Sequence, residues 1–240
     1  FILTAMTTAI LIVSGISLQA KDFNCQNLGG ATGLINTPTA NTSWESNQFG
    51  IDVGFSALTC DDGEYMTRVT GQLFRIWEVG MLFDNQDGDD SNDWIFHTKI
   101  RFYGSGNSAI AVGGNLQLLE ENDKSYTVGQ AYLATTYAST FFGLPAETSL
   151  VVGKTFGESE NDSDIDFSMG FDLDMFPSVF KGYVHWINDF TNYAYQARPH
   201  DFDDNRGIFS TGARIAFPLA GKFKINIDAL LIDLLDDTRE

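Results

Sequence analysis

Basic residues are scarce in this chain. Fourteen Lys and Arg stand against 32 Asp and Glu in 240 residues, a formal net charge of −18. A nucleic-acid binder needs a basic footprint to neutralise phosphates, so no nucleic-acid partner is expected. No three- or seven-residue period runs through the sequence, which excludes collagen and coiled coil. After the N-terminus no stretch approaches the roughly 18 apolar residues that a spanning helix requires. There are only 5 Pro, 3 His and 2 Cys. The histidines and cysteines show no metal-ligand spacing, so neither zinc nor any other cofactor is expected. Aromatics, by contrast, make up 13% of the chain, with 20 Phe, and Gly numbers 23. That richness argues against disorder, because disordered chains are poor in aromatic and β-branched residues.

Residues 1–20, FILTAMTTAILIVSGISLQA, are apolar and uncharged and end in Leu18-Gln19-Ala20 before Lys21-Asp22. An apolar core with a small-residue exit is the pattern of an export signal peptide whose basic n-region precedes the first residue given. A membrane anchor is the alternative, although anchors tend to be longer. Export permits a disulfide between Cys25 and Cys60. A lipoprotein role for Cys25 is weak, because Asp22-Phe23-Asn24 lacks the small apolar residues of such a site.

From residue 47 onward, apolar and polar residues alternate with period two. Between Asp164 and Phe176, Ile165, Phe167, Met169, Phe171, Leu173 and Met175 alternate with polar or small residues, among them Asp164, Asp166, Asp172 and Asp174. A helix would scatter those acids around its circumference, whereas a strand places them on one face. The pattern predicts eleven strands at 47–58, 64–75, 77–84, 94–103, 108–119, 126–139, 147–156, 164–176, 180–189, 207–217 and 222–234. Strands of ten or so residues are long for globular proteins and suit a bilayer crossing.

The connections between them alternate in length. Short ones fall at 76, 104–107, 140–146, 177–179 and 218–221. Long ones fall at 59–63, 85–93, 120–125, 157–163 and 190–206, and these carry acidic runs such as DNQDGDDSND at 84–93. One rim is thus short and nearly neutral, the other long and acidic. Outer-membrane barrels have this asymmetry, with tight periplasmic turns and longer outer loops. Aromatics gather near strand ends, as they do at membrane interfaces. The expected fold is an all-β, antiparallel up-and-down transmembrane β-barrel in the outer membrane of a Gram-negative bacterium. Its expected organisation is a signal peptide at 1–20, a lead-in or plug at 21–46, and the barrel at 47–240. Single-chain barrels are even-numbered, so about twelve strands are expected, the last lying beyond residue 240.

The face opposite the apolar one is polar. Asp52, Arg68, Lys99, Arg101, Asp166, Asp172, Lys181 and His185 are candidate lumen-facing residues, with Gln72, Asn115 and Gln117 beside them. Catalysis is not expected. His97, His185 and Ser168 fall on inward positions, but no nucleophile-elbow signature accompanies them. The run Asp87–Asp93 has the density of a calcium-binding loop but lacks the terminal Glu of an EF-hand, and a solvated rim is the simpler account.

Before the first strand lies Leu28–Asn41, LGGATGLINTPTAN. Gly33-Leu34-Ile35-Asn36-Thr37-Pro38-Thr39-Ala40, followed by a polar spacer and the strand start Phe-Gly-Ile-Asp-Val-Gly, resembles the opening of the YjbH family. These are predicted outer-membrane β-barrel proteins associated with exopolysaccharide production. The resemblance implies a role in exopolysaccharide assembly or export, with membrane lipid, lipopolysaccharide and the secretion machinery as partners. The alternative is a porin-like diffusion channel whose acidic mouth prefers cations. The cysteines bear on the choice. Cys25 precedes the first strand and Cys60 follows it, so some 30 Å of strand separates their levels. They can bridge only if residues 26–46 turn back through the lumen, which would plug it; two unbridged cysteines are the other possibility.

Overall fold

The computed structural model describes residues 12–14, 24–44, 47–58, 64–86, 92–121, 124–157, 165–193, 207–219 and 223–234. Three short strands come first: β1 (Ile12–Ser14), β2 (Cys25–Gln26) and β3 (Thr32–Gly33). Eleven long ones follow: β4 (Phe49–Leu58), β5 (Glu64–Leu73), β6 (Trp77–Gln86), β7 (Asn92–Ser105), β8 (Ser108–Glu121), β9 (Lys124–Phe141), β10 (Leu144–Phe156), β11 (Asp166–Asp174), β12 (Val184–Thr191), β13 (Ile208–Leu219) and β14 (Phe223–Leu231). A single helical turn, α1 (Pro177–Phe180), lies between β11 and β12.

Each of the eleven expected strands is present, and each pairs antiparallel with its sequence neighbours from β4 to β14. The twelfth member of the sheet comes from the other end of the chain. β1, inside the segment expected to be a signal peptide, pairs with β14 through Ile12↔Asp228 and Ser14↔Asn226. It also runs beside β4, but no ladder bonds join those two, so the hydrogen-bonded sheet is not closed.

Two connections depart from expectation. The acidic 120–125 stretch is mostly strand: the β8–β9 ladder continues to Glu121↔Lys124 and leaves a two-residue connection. Its charges had hidden the alternation, while the backbone ladder is indifferent to them. The connection at 177–179 contains α1 instead of a tight turn. Pro177 opens the helix, where its missing N–H costs nothing, and Lys181 closes it in a left-handed conformation at φ 57°. The loop residues 59–63, 87–91, 158–164 and 194–206, which carry most of the acidic rim and Cys60, lie outside the described residues.

The burial pattern is inverted relative to a water-soluble sheet. Along β4, Phe49, Ile51, Val53 and Phe55 are exposed, while Asp52 and Ser56 are buried. Along β6 and β7, Val79, Met81, Phe96 and Ile100 are exposed, while Glu78, His97 and Lys99 are buried. The same parity holds on β8–β10, where Val112, Leu116, Leu133 and Leu150 face outward. Aromatic side chains near strand ends, among them Trp77, Trp94, Phe102, Phe156 and Trp186, lie on this exposed face. A sheet that buried its apolar side in a sandwich core would show the reverse.

Candidate functional site

The interior is occupied by the chain's own N-terminal segment. Residues 25–44 are buried throughout, several of them completely, including Leu28, Ile35 and Trp44. The segment enters and leaves at the short-turn end. Asn24 offers its carbonyl to Lys224, the second residue of β14, and the Thr42 hydroxyl donates to the Arg75 carbonyl in the turn after β5 (3.1 Å). Between those points it folds on itself: β2 pairs with β3, and the Leu34 N–H bonds the Thr37 carbonyl at 2.9 Å. Gly33 is indispensable to this turn, because a Cβ there would lie 2.4 Å from the Thr37 carbonyl oxygen and 2.9 Å from the Pro38 Cα. Backbone that close leaves no room for any side chain.

Charged side chains from the inner face grip the backbone of this segment. Lys99 donates to the carbonyls of Thr32 (3.1 Å), Thr39 (2.9 Å) and Asn41 (2.7 Å) while pairing with Glu78 at 2.9 Å. Glu78 in turn accepts from the Thr32 hydroxyl (2.5 Å) and the Ser43 amide (2.9 Å). Arg214 pairs with Asp228 at 2.8 Å and donates to the carbonyls of Gly33 and Leu34, both at 3.1 Å. Arg68 donates to the Asn27 carbonyl at 2.8 Å. One oxygen of Asp189, Oδ2, accepts three consecutive amides at the tip: Ile35 (3.2 Å), Asn36 (2.6 Å) and Thr37 (2.8 Å). A buried loop must satisfy its backbone groups without water, and a ring of ionisable side chains does that here. Burying such charges is itself costly unless they are paired and hydrogen-bonded, which Lys99–Glu78 and Arg214–Asp228 are.

Deeper in, the segment contributes apolar groups. Leu28, Leu34 and Ile35 form a buried cluster with Met66, Leu82, Ile95 and Ile187 from the inner face. At the short-turn end the Trp44 ring occupies the space above Gly50, where a Cβ would lie 2.1 Å from it. Gln72 clamps the Trp44 backbone on both sides, accepting from its amide at 2.6 Å and donating to its carbonyl at 2.7 Å. Hydrogen-bond partners of the segment lie on β4, β5, β6, β7, β9, β10, β12, β13 and β14, so the sheet curls around it.

The residues expected to face a lumen divide into three groups. Asp52, Arg68, Lys99 and Asp166 are buried on the inner face. Arg68 and Lys99 hold the N-terminal segment, while Asp166 accepts from Gln130 (2.7 Å) and Thr155 (2.8 Å) across β9–β11. Arg101, Asp172 and His185 lie nearer the short-turn end and are half-buried. His185 Nδ1 bonds Asp172 at 2.7 Å, and Arg101 donates to the Arg75 carbonyl at 2.9 Å. Lys181 does not face the interior: it is exposed in the turn that closes α1, because the helix breaks the strand parity on which its inward placement rested. His97 is buried, with Nε2 3.1 Å from the Thr70 hydroxyl. Cys25 is buried within the segment, and the suggested bridge to Cys60 falls on a residue outside the described ones.

Sequence reasoning missed Glu78, Asp189, Arg214, Lys224 and Asp228. Parity alone would have placed Glu78 inside, since it shares a face with Gly80, Leu82 and Asp84. What the pattern lacks is any sign that these charges converge on residues 24–44. No protein-family model matches the chain, and no curated protein matches it.

Proposed function

We propose that the chain is an outer-membrane β-barrel protein of the YjbH type, closed at rest by its own N-terminal segment, and that it assists exopolysaccharide assembly or export. The observation that carries the barrel reading is the inverted sheet: apolar side chains outside, charged and amide side chains inside. In water such a surface would be an aggregation liability, whereas against lipid it is the required arrangement. Ten of the eleven long strands have at least the nine or so residues that a tilted crossing needs, β12 with eight being the exception. Support for the YjbH type comes from the Gly33–Ala40 string: the residues that carry the resemblance are those that Lys99, Asp189 and Arg214 grip. An open, cation-preferring channel is the poorer account, because residues 24–44 fill the interior.

The barrel reading predicts a heat-modifiable protein in the outer-membrane fraction with β-dominated circular dichroism. A tag within 194–206 is expected to be reached on intact cells and one at Gly106-Asn107 is not; the reverse pattern overturns the orientation. Deleting the gene in its host is expected to lower secreted polysaccharide. Unchanged secretion would remove the YjbH-type role and leave the barrel standing.

A further inference from the structure

The grip on the N-terminal segment is uneven. Apart from Glu147 on β10, its charged holders come from β5–β7 and β12–β14. Against β8–β10 only two side-chain tethers are found among the described residues: the Thr136 hydroxyl accepts from the Ala40 amide at 2.8 Å, and the Asn41 amide donates to Glu147 at 3.1 Å. The wall facing this leg is built of small residues. Ala40 packs in a buried cluster with Ala109, Ala111, Ala134 and Val151, small group against small group. Tyr132 belongs to the same cluster, but its ring is folded onto the wall over Gly113, where a Cβ would lie 2.4 Å from it.

A cavity lies on one side of this contact and a buried polar cluster on the other. Toward the short-turn rim a cavity of about 410 Å³ is lined by Asn41, Arg101, Ala109, Thr136 and Glu147 and is open to the outside. Toward the other rim Asn115, Gln117, Gln130 and Thr155 form a buried cluster of amides and a hydroxyl on the inner face. There Asn115 donates to Gln130 at 2.9 Å, while both amide atoms of the fully buried Gln117 lack a hydrogen-bond partner. A buried amide left bare is unfavourable, so that position suits water or a hydroxylated guest.

We propose that solutes cross beside the N-terminal segment and not by its expulsion, along the β8–β10 wall, with the Thr39–Asn41 leg as the gate. The proposal rests on the barrel reading. Lys99 on the opposite side holds the Thr39 and Asn41 carbonyls, so the leg moves off its alanine wall toward β7, joining the cavity to the amide cluster while the Lys99 bonds and the Asp189 and Arg214 grip on the tip stay intact. Amides and hydroxyls on the wall, with Asp166 already engaged by two donors, suit small neutral hydroxylated solutes.

The test uses the whole chain reconstituted in proteoliposomes and planar bilayers, with potassium chloride and a neutral disaccharide as probes. Thr136→Val with Asn41→Ala removes both tethers and touches none of the charged holders on β5–β7 and β12–β14, the Lys99 bonds to the leg's backbone included. It is expected to give stepwise openings and disaccharide-driven swelling where the wild type gives neither. Asp189→Asn, which loosens only the tip, is expected to remain as closed as the wild type. Openings in Asp189→Asn with none in the tether variant would mean that the whole segment must leave, and would overturn the proposal. Silence in both would overturn it too. Heat-modifiability measured on the same preparations tests the barrel separately: silent but heat-modifiable protein sinks the gate alone, whereas loss of heat-modifiability in the wild type sinks the barrel reading beneath it.

Discussion

Replacing Asp189 with Ala offers the sharpest test of how the N-terminal segment is held. One carboxyl oxygen accepts the amides of Ile35, Asn36 and Thr37 at 2.6–3.2 Å, all in a buried environment. Removing it strips three backbone donors of their acceptor at once. Each unsatisfied buried group costs about 1–3 kcal/mol, and because the three share one acceptor and relax together, the sum is about 3–5 kcal/mol. At about 1.4 kcal/mol per factor of ten, that raises the population of the unseated tip roughly a hundredfold to a few thousandfold. Hydrogen exchange read at single amides is the assay. Ile35, Asn36 and Thr37 are expected to exchange faster by that factor. Ala40, tethered separately to Thr136, is expected to keep its protection. Wild-type exchange at all three tip amides would refute the role assigned to Asp189, and equal acceleration at Ala40 would show that tip and leg move as one body.

Other outcomes follow from the same contacts. Lys99→Met leaves Glu78 buried without its cation and takes a donor from the Thr39 and Asn41 carbonyls, while the Thr32 carbonyl keeps the Thr39 amide; a loss of about 3–5 kcal/mol is expected, seen as a lower midpoint in the heat-modification curve. Gly50→Ala places a methyl 2.1 Å from the Trp44 ring, so Trp44 must leave its seat, and protease is expected to cut the variant within residues 24–47 faster than the wild type. Met81→Arg puts a cation mid-strand on the exposed apolar face. Against lipid it is expected to destabilise by about 2–4 kcal/mol in urea titrations from bilayers, whereas a face bathed in water would tolerate it.

Much of the sheet was legible in the sequence because one face is apolar and the other polar with few breaks. Period two marks a strand whichever side lies against protein, and all eleven long strands follow from it. The ends were harder to place. Between 120 and 125 the charges conceal a ladder that backbone bonds alone sustain. At 177–181 a proline and a left-handed Lys181 substitute a helical turn for the expected tight one. The interior was only partly legible. Parity puts Arg68, Lys99 and Asp166 inside, but it is silent on what those residues touch. Asp189 and Arg214 meet residues 33–37 across more than 150 positions of sequence, and no local pattern encodes such a meeting. The glycine-rich string before the first strand carried the hint, since a segment so rich in tight bends is ill suited to lie extended.

The sequence distance between the N-terminal segment and its holders has a consequence for how the molecule is made. Residues 24–44 emerge from the ribosome before every long strand, yet the Asn24 carbonyl waits for Lys224, and the Gly33 carbonyl for Arg214, at separations of 200 and 181 residues. Loop-closure entropy must be met before such contacts are rewarded, which makes assembly slow and leaves polar backbone unsatisfied until late. A part synthesised ahead of every long strand is thus among the last to be satisfied. The strands must either close around it as a mandrel or admit it through the short-turn end after they have joined.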